Sequence, residues 1–172
     1  MIPRIKNILY ATDLTENSAY AYRYAINSAQ KHDAQIVILH VLEKPSQTVE
    51  GLVQMFLEKT EFEKLWAEKK DGQIKRIQER IKEIAKRELG DHSEMMRLIK
   101  SIVVVEGDPA TEILKKTQEL ECDILTMGTH GQGIISQTFL GSVAAKVLGR
   151  IRKPVFVIPI PEGKTDITFT DI

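Results

Sequence analysis

Short apolar runs alternate with helical stretches along this whole chain, and that alternation leaves few folds open to it. The runs are residues 7–12, 35–42, 101–105, 123–127 and 154–158. Each is nearly continuous in apolar residues, as a strand covered on both faces must be. Between the first two, Ala21, Ala25 and Ala29 recur at helical spacing and form a small-residue face suited to close packing on a sheet. Thr15 or Asn17 can cap that helix, which is expected to end near Lys31. Later, Asp108 reads as an N-cap and Pro109 as the first helical residue of a helix ending near Leu120, and a last helix is expected over 142–151. Strands joined by helices make a parallel sheet with right-handed crossovers. The expected architecture is a three-layer α/β/α sandwich on a five-stranded sheet.

At 172 residues the chain fits one domain, expected over 1–160, with a polar tail at 161–172. The longest intervening region is 46–90, read as a helical insertion between the second and third strands. Ile74, Ile77, Ile81 and Ile84 give its second half a helical face. Its first half carries Leu52, Val53, Phe56, Leu57, Phe62, Leu65 and Trp66, and reads as a separate helical piece joined through residues 69–72. Such a piece serves either as a lid or partner surface, or as an extra helix packed on the domain or a dimer mate; the second use is preferred. Lys plus Arg and Asp plus Glu both number 24, so net charge is zero, which argues against a partner as acidic as bulk DNA or an anionic membrane. No apolar run approaches the roughly 20 residues that span a bilayer. The single cysteine, Cys122, cannot form an internal disulfide and reads as a core thiol beside a buried strand. A cytoplasmic protein is expected.

The function-bearing stretch follows the fourth run. Gly128, Gly131, Gly141 and Ser142 stand in the pattern G-x2-G-x9-G-[ST], after a strand and at a helix start. Glycines let backbone approach a ligand closely, and unpaired N–H groups at a helix start favour an anion, usually a phosphate. Ser142 adds a hydroxyl donor. The plainer alternative is that Gly131 and Gly133 make turns and Ser142 is an ordinary cap. The loop is not a P-loop, which requires Gly-Lys-[Ser/Thr]. The chain's one such triplet, Gly163-Lys164-Thr165, lies in the polar tail and reads as chance. Nor is it the dinucleotide fingerprint, since it reads G-x-x-G-x-G and follows the fourth strand.

With these residues in place, the chain resembles the universal stress proteins, whose nucleotide-binding members carry that same glycine pattern. The resemblance covers about 5–160. It includes Asp13 after the first strand, a second strand ending in Val41, the Gly107-Asp108-Pro109 turn and the closing Lys153-Pro154-Val155. It implies a Rossmann-like sheet of order 3-2-1-4-5, akin to the adenine nucleotide alpha hydrolases. Strands one and four would then adjoin with diverging connections, and ligands bind at such a switch point. The resemblance implies ATP, or ADP or AMP, as ligand. Asp13 and Val41, with Ala11, Thr12 and Met127 beside them, would hold the adenine end. Gly128, His130 and Gly131 would flank the ribose and phosphates, and Gly141, Ser142 and Val143 would cradle the phosphates. Ala11 departs from the pattern, where proline is common, and is expected to soften the adenine-side wall.

Phosphoryl transfer needs charge neutralisation by metal, lysine or arginine. No lysine lies between Asp123 and Lys146, and Lys146 and Arg150 are expected to meet the dipole's negative end or solvent. His130 could act as a base, but a solvated or backbone-bonded histidine is the plainer reading. Asp13 with Glu16 could chelate Mg beside the phosphates; a capping or ribose-binding role for Asp13 is preferred. The expectation is a regulatory stress-response protein that retains nucleotide with slow or absent hydrolysis and has no catalytic residue. The alternatives are a weak ATPase, a nucleotide-independent dimeric scaffold, or an adenylyl transferase or pyrophosphatase. The last would need an S-G-G-x-D-S loop or a His-x-x-His near the first strand, and neither follows Ala11-Thr12-Asp13-Leu14. Residues 155–160 would be an exposed apolar edge strand, and the resemblance implies a homodimer paired through it.

Overall fold

The computed structural model of the chain describes residues 2–43, 51, 55, 59–90, 92–130 and 140–159. Gly131, Gly133, Leu52, Val53, Phe56, Leu57 and the tail with its Gly163-Lys164-Thr165 triplet lie outside the described residues. Five strands form one parallel sheet: β1 (Asn7–Thr12), β2 (Gln35–Leu42), β3 (Ile99–Glu106), β4 (Ile124–Gly128) and β5 (Val155–Ile158). The helices are α1 (Glu16–His32), α2 (Lys59–Leu89), α3 (Pro109–Glu119) and α4 (Ser142–Leu148), with a short 3-10 segment, Ser93–Leu98, ahead of β3. The order across the sheet is β3-β2-β1-β4-β5, as the resemblance implies.

Alternation along the strands divides the apolar side chains between two faces. Ile8, Tyr10, Ile36, Ile38 and Ile124 pack against α1 and α2 through Ala21, Ala25, Ala29, Ile81, Ala85 and Leu89. Leu9, Ala11, Val37, Leu39, Leu125 and Met127 pack against α3 and α4 through Ala110, Ile113, Ala144 and Val147. The three alanines of α1 are fully buried, so the helix lies close on the sheet as their spacing predicts. Cys122 is buried in the second layer, where desolvation pushes its thiol up to about 11. This is the core thiol expected from its position.

The local signals act as anticipated at most helix ends. Thr15 caps α1, and Asp108 caps α3 with Pro109 in its first turn. Both helices end in the same way, with a residue in the left-handed region. After α1, Asp33 has φ 49° and Ala34 N–H donates to the Ala29 carbonyl at 2.9 Å. After α3, Glu121 has φ 49°, and the N–H groups of Glu121 and Cys122 donate to the Gln118 and Thr117 carbonyls at 3.0 and 3.1 Å. That paired pattern satisfies carbonyls the helix leaves open. Asp123 then ties β4 to β1: its Oδ2 accepts the N–H groups of Lys6 and Asn7 at 2.7 and 2.9 Å, while its own N–H donates to the Asn7 carbonyl at 2.8 Å.

One expectation is corrected. Residues 69–72 are not a joint between two helical pieces; α2 runs through them without a break. A glycine inside a helix costs only about 1 kcal/mol relative to alanine, and the Lys, Glu, Gln and Ala residues around Gly72 are good helix formers. The helix lies along β3, with Lys70 Nζ 3.3 Å from a Glu106 carboxylate oxygen and Gln78 Nε2 donating to the Ile102 carbonyl at 3.4 Å. At the opposite edge, β5 pairs with β4 alone among the described residues, and Phe156 there is 40% exposed. Among the described residues, no helix is long and apolar enough to cross a membrane.

Candidate functional site

The carboxyl ends of β1 and β4 lie side by side, paired through Ile8–Ile124, Leu9–Leu125 and Tyr10–Thr126. The chain leaves β1 toward the α1 face and reaches α4 on the other face after β4. Such a divergence opens a crevice beyond the strand ends. Here it is a cavity of about 460 Å³, within the range of small-molecule sites.

Every described residue expected at the site lines this cavity. Ala11, Thr12 and Asp13 come from the end of β1, and Val41 from the end of β2. Met127, Gly128 and His130 come from the end of β4, and Gly141, Ser142 and Val143 from the start of α4. Gly131 is the one expected residue whose place is not described. The wall also contains residues not expected at the site, among them Ser18, His40, Glu43, Pro109 and Thr129. Pro109 was legible only as a helix start, and Glu43 had no local chemical signal. His40 and Ser18 become visible only once the β1–β2 register and the entry of α1 are known.

The turn after β1 is held by a directed hydrogen-bond network. Thr15 gives both its N–H (3.0 Å) and its hydroxyl (2.6 Å) to the same oxygen of Asp13, Oδ1. Ser18 Oγ donates to the Thr15 carbonyl at 2.9 Å, which uses its only proton. The 2.9 Å contact between Thr12 and Ser18 hydroxyls is therefore donated by Thr12, whose oxygen in turn accepts Leu14 N–H at 3.1 Å. The Tyr10 hydroxyl closes the set by donating to the Ser18 carbonyl. Inside this network Leu14 has φ 65°, a conformation that costs a bulky residue roughly 1–2 kcal/mol. Its side chain packs against the α1–α2 core layer, so packing and hydrogen bonds together hold the strained backbone. Asp13 is thus not itself the cap of α1; it holds Thr15, the residue that is.

His40 stands opposite Thr12 in the β1–β2 register, and its Nδ1 lies 2.8 Å from the Thr12 carbonyl oxygen. A carbonyl only accepts, so Nδ1 carries the proton. Burial lowers the imidazole's pKa below its ordinary value, with the Arg80 charge adding to that and the Thr12 bond and Asp13 opposing it.

The other end of the cavity is built from backbone. Thr129 N–H donates to the Ile158 carbonyl of β5 at 3.1 Å, and the Thr129 carbonyl accepts Gly141 N–H at 2.9 Å. Gly141 N–H, expected among the phosphate donors, is therefore already engaged. The first helical bond of α4 runs from Ala145 N–H to the Gly141 carbonyl at 2.9 Å, so the N–H groups of Ser142 and Val143 precede the ladder. His130 Nδ1 lies 2.9 Å from Thr129 Oγ1. Lys146 falls in the last turn of α4, and with Arg150 it acts on Asp108. Hydrogen bonds from the Thr111 hydroxyl and N–H hold the Asp108 carboxyl below its ordinary value, and the two cations add to this.

A parallel sheet of this order, flanked by helices and with a cavity at its β1–β4 switch point, defines a Rossmann-like α/β fold. The chain belongs to the universal stress protein family, whose model matches residues 4–159. It is 29% identical over 156 residues to universal stress protein MJ0577 of Methanocaldococcus jannaschii, a match covering 89% of this chain and 94% of that protein. The solved structure of MJ0577 superposes with a TM-score of 0.64 at 23% identity, covering 94% of this chain and all of that one. A universal stress protein solved in complex with cAMP gives 0.59 at 19% identity, covering 91% and 98%. One from Archaeoglobus fulgidus in complex with dAMP gives 0.52 at 14%, covering 90% and 97%.

Proposed function

We propose that the chain binds an adenine nucleotide, ATP or its lower phosphates, in the switch-point cavity. The observation that supports this most is convergence: Gly128, Gly141 and Ser142 of the glycine motif and Asp13 after β1, more than 100 residues away, line one cavity of nucleotide size. The solved relatives with cAMP and dAMP are in keeping with that ligand class. In this reading Asp13 and Val41, flanked by Ala11, Thr12 and Met127, hold the adenine end. Gly128 and His130, with Gly131, flank the ribose and phosphates. Ser142 and Val143 give N–H groups and the Ser142 hydroxyl to the phosphates, while Gly141 serves by lacking a side chain.

The reading extends to slow or absent hydrolysis. Residues 124–145 contain no lysine or arginine to neutralise charge on a transferring phosphoryl group. It also extends to a cytoplasmic homodimer in the stress response, paired through the β5 edge at Phe156. The test is to denature freshly purified protein and identify the released small molecule by mass spectrometry, with light scattering for the mass of the native particle. An adenine nucleotide near one per chain and a dimeric mass are expected. No released nucleotide, with no uptake of ATP or AMP on titration, would refute the binding reading and leave the nucleotide-independent scaffold.

A further inference from the structure

We propose that His40 is the positioning residue for the Asp13 turn, and that its Nδ1–H donor, more than its bulk, sets nucleotide affinity. The inference rests on the nucleotide reading above. Three observations carry it. His40 is the lone polar side chain of β2 on the face where Ile36 and Ile38 are buried, so apolar packing does not account for a histidine there. Its Nδ1–H reaches across to the last carbonyl of β1, that of Thr12, at 2.8 Å. His40 is also one of the residues that line the cavity, with Asp13.

The Thr12 carbonyl belongs to the peptide plane that leads into Asp13. Rotation of that plane swings the Asp13 Cα–Cβ direction. The next residue, Leu14, sits at φ 65° and has a lower-energy backbone to relax into if the turn is released. On the Thr12 side chain, Ser18 and Leu14 hold the hydroxyl; only His40 reaches the carbonyl from a neighbouring side chain among the described hydrogen bonds. Thr12 and His40 are the last pair of the β1–β2 ladder, so the imidazole adds a side-chain restraint to that peptide plane where the backbone pairing ends. A carboxylate displaced by a fraction of an ångström still caps α1 through Thr15, but no longer meets a nucleotide donor at hydrogen-bond distance.

The test uses the full chain with three substitutions, titrated with AMP by calorimetry and melted in urea. Asparagine places an amide N–H close to where Nδ1 stands, so His40→Asn keeps the donor. Glutamine places its amide where Nε2 would be, so His40→Gln keeps polarity and misplaces the donor. His40→Leu removes it. The expected result is AMP affinity within about threefold of the parent for His40→Asn, and a loss of about tenfold or more for His40→Gln and His40→Leu. If His40→Leu does not fold, the asparagine–glutamine pair decides the matter alone. Equal affinity in His40→Asn and His40→Gln overturns the inference while leaving the nucleotide reading intact. A parent protein that takes up no AMP overturns both.

Discussion

Replacing Asp13 by asparagine separates two roles that one carboxylate combines. Both hydrogen bonds from Thr15 fall on Oδ1, at 3.0 and 2.6 Å. An asparagine keeps a carbonyl oxygen in that place, so the anchor of the α1 cap survives without its charge. A charge-assisted hydrogen bond contributes about 1.5–3 kcal/mol and a neutral one about 0.5–1.5, so the folded state should lose about 1 kcal/mol. The second oxygen becomes an NH2 group, which donates where a nucleotide amine or hydroxyl also donates. The lost interaction is again of the charge-assisted kind, about 1.5–3 kcal/mol, or roughly ten- to hundredfold in Kd. Asp13→Ala removes the anchor as well, and adds a capping loss of about 1 kcal/mol to the same binding defect. Calorimetric titration with AMP gives the affinities and urea unfolding gives the stabilities. If Asp13→Asn bound AMP as tightly as the parent while losing stability, Asp13 would be a capping device only, and its assignment to the nucleotide would fail.

Two further predictions concern the fold that carries the site. Burial raises the phenols of Tyr10 and Tyr22 above the ordinary value of 10.0. The unfolded chain therefore ionises them first, so their stabilising contribution is complete below pH about 10 and is lost as pH rises above it. Urea midpoints measured from pH 8 to 11 should fall steeply only past pH 10, and a flat profile there would contradict the burial of both rings. At the end of α3, Glu121→Gly should raise stability by about 0.5–1 kcal/mol. Relief of the left-handed strain at φ 49° outweighs the added entropy of the unfolded glycine. An unchanged or lowered urea midpoint would count against that geometry.

What could be read from residues alone was what depends on near neighbours. The five strands show because each is a continuous apolar run, and Thr15, Asp108 and Pro109 mark helix starts by chemistry local to one turn. The glycine spacing is equally local, and by itself it points to the β4 end of the cavity. Strand order came from the resemblance, since the same runs fit other orders. Gly72 misled because its cost is small against a long helix-forming stretch, a balance that composition near one residue does not reveal. His40 and Ser18 stayed hidden because their meaning depends on register: nothing near residue 40 says that it will face Thr12. The engagement of Gly141 N–H by Thr129 is hidden for the same reason, because that bond spans the loop between β4 and α4.

The two contacts that bind α2 to β3 also fix where that helix extends. From Lys70 to Gln78 the helix advances about 12 Å, and from Glu106 back to Ile102 the strand covers about 13 Å, so the two lie antiparallel and nearly in step. Glu106 is the last residue of β3, hence residues 59–69 of α2 rise roughly 17 Å beyond the rim of the sheet. That rim is the one onto which the cavity opens. The carboxyl end of the protein is thus a ledge with a parapet along one side. A flat surface laid across the five strand ends would meet residues 59–69 first.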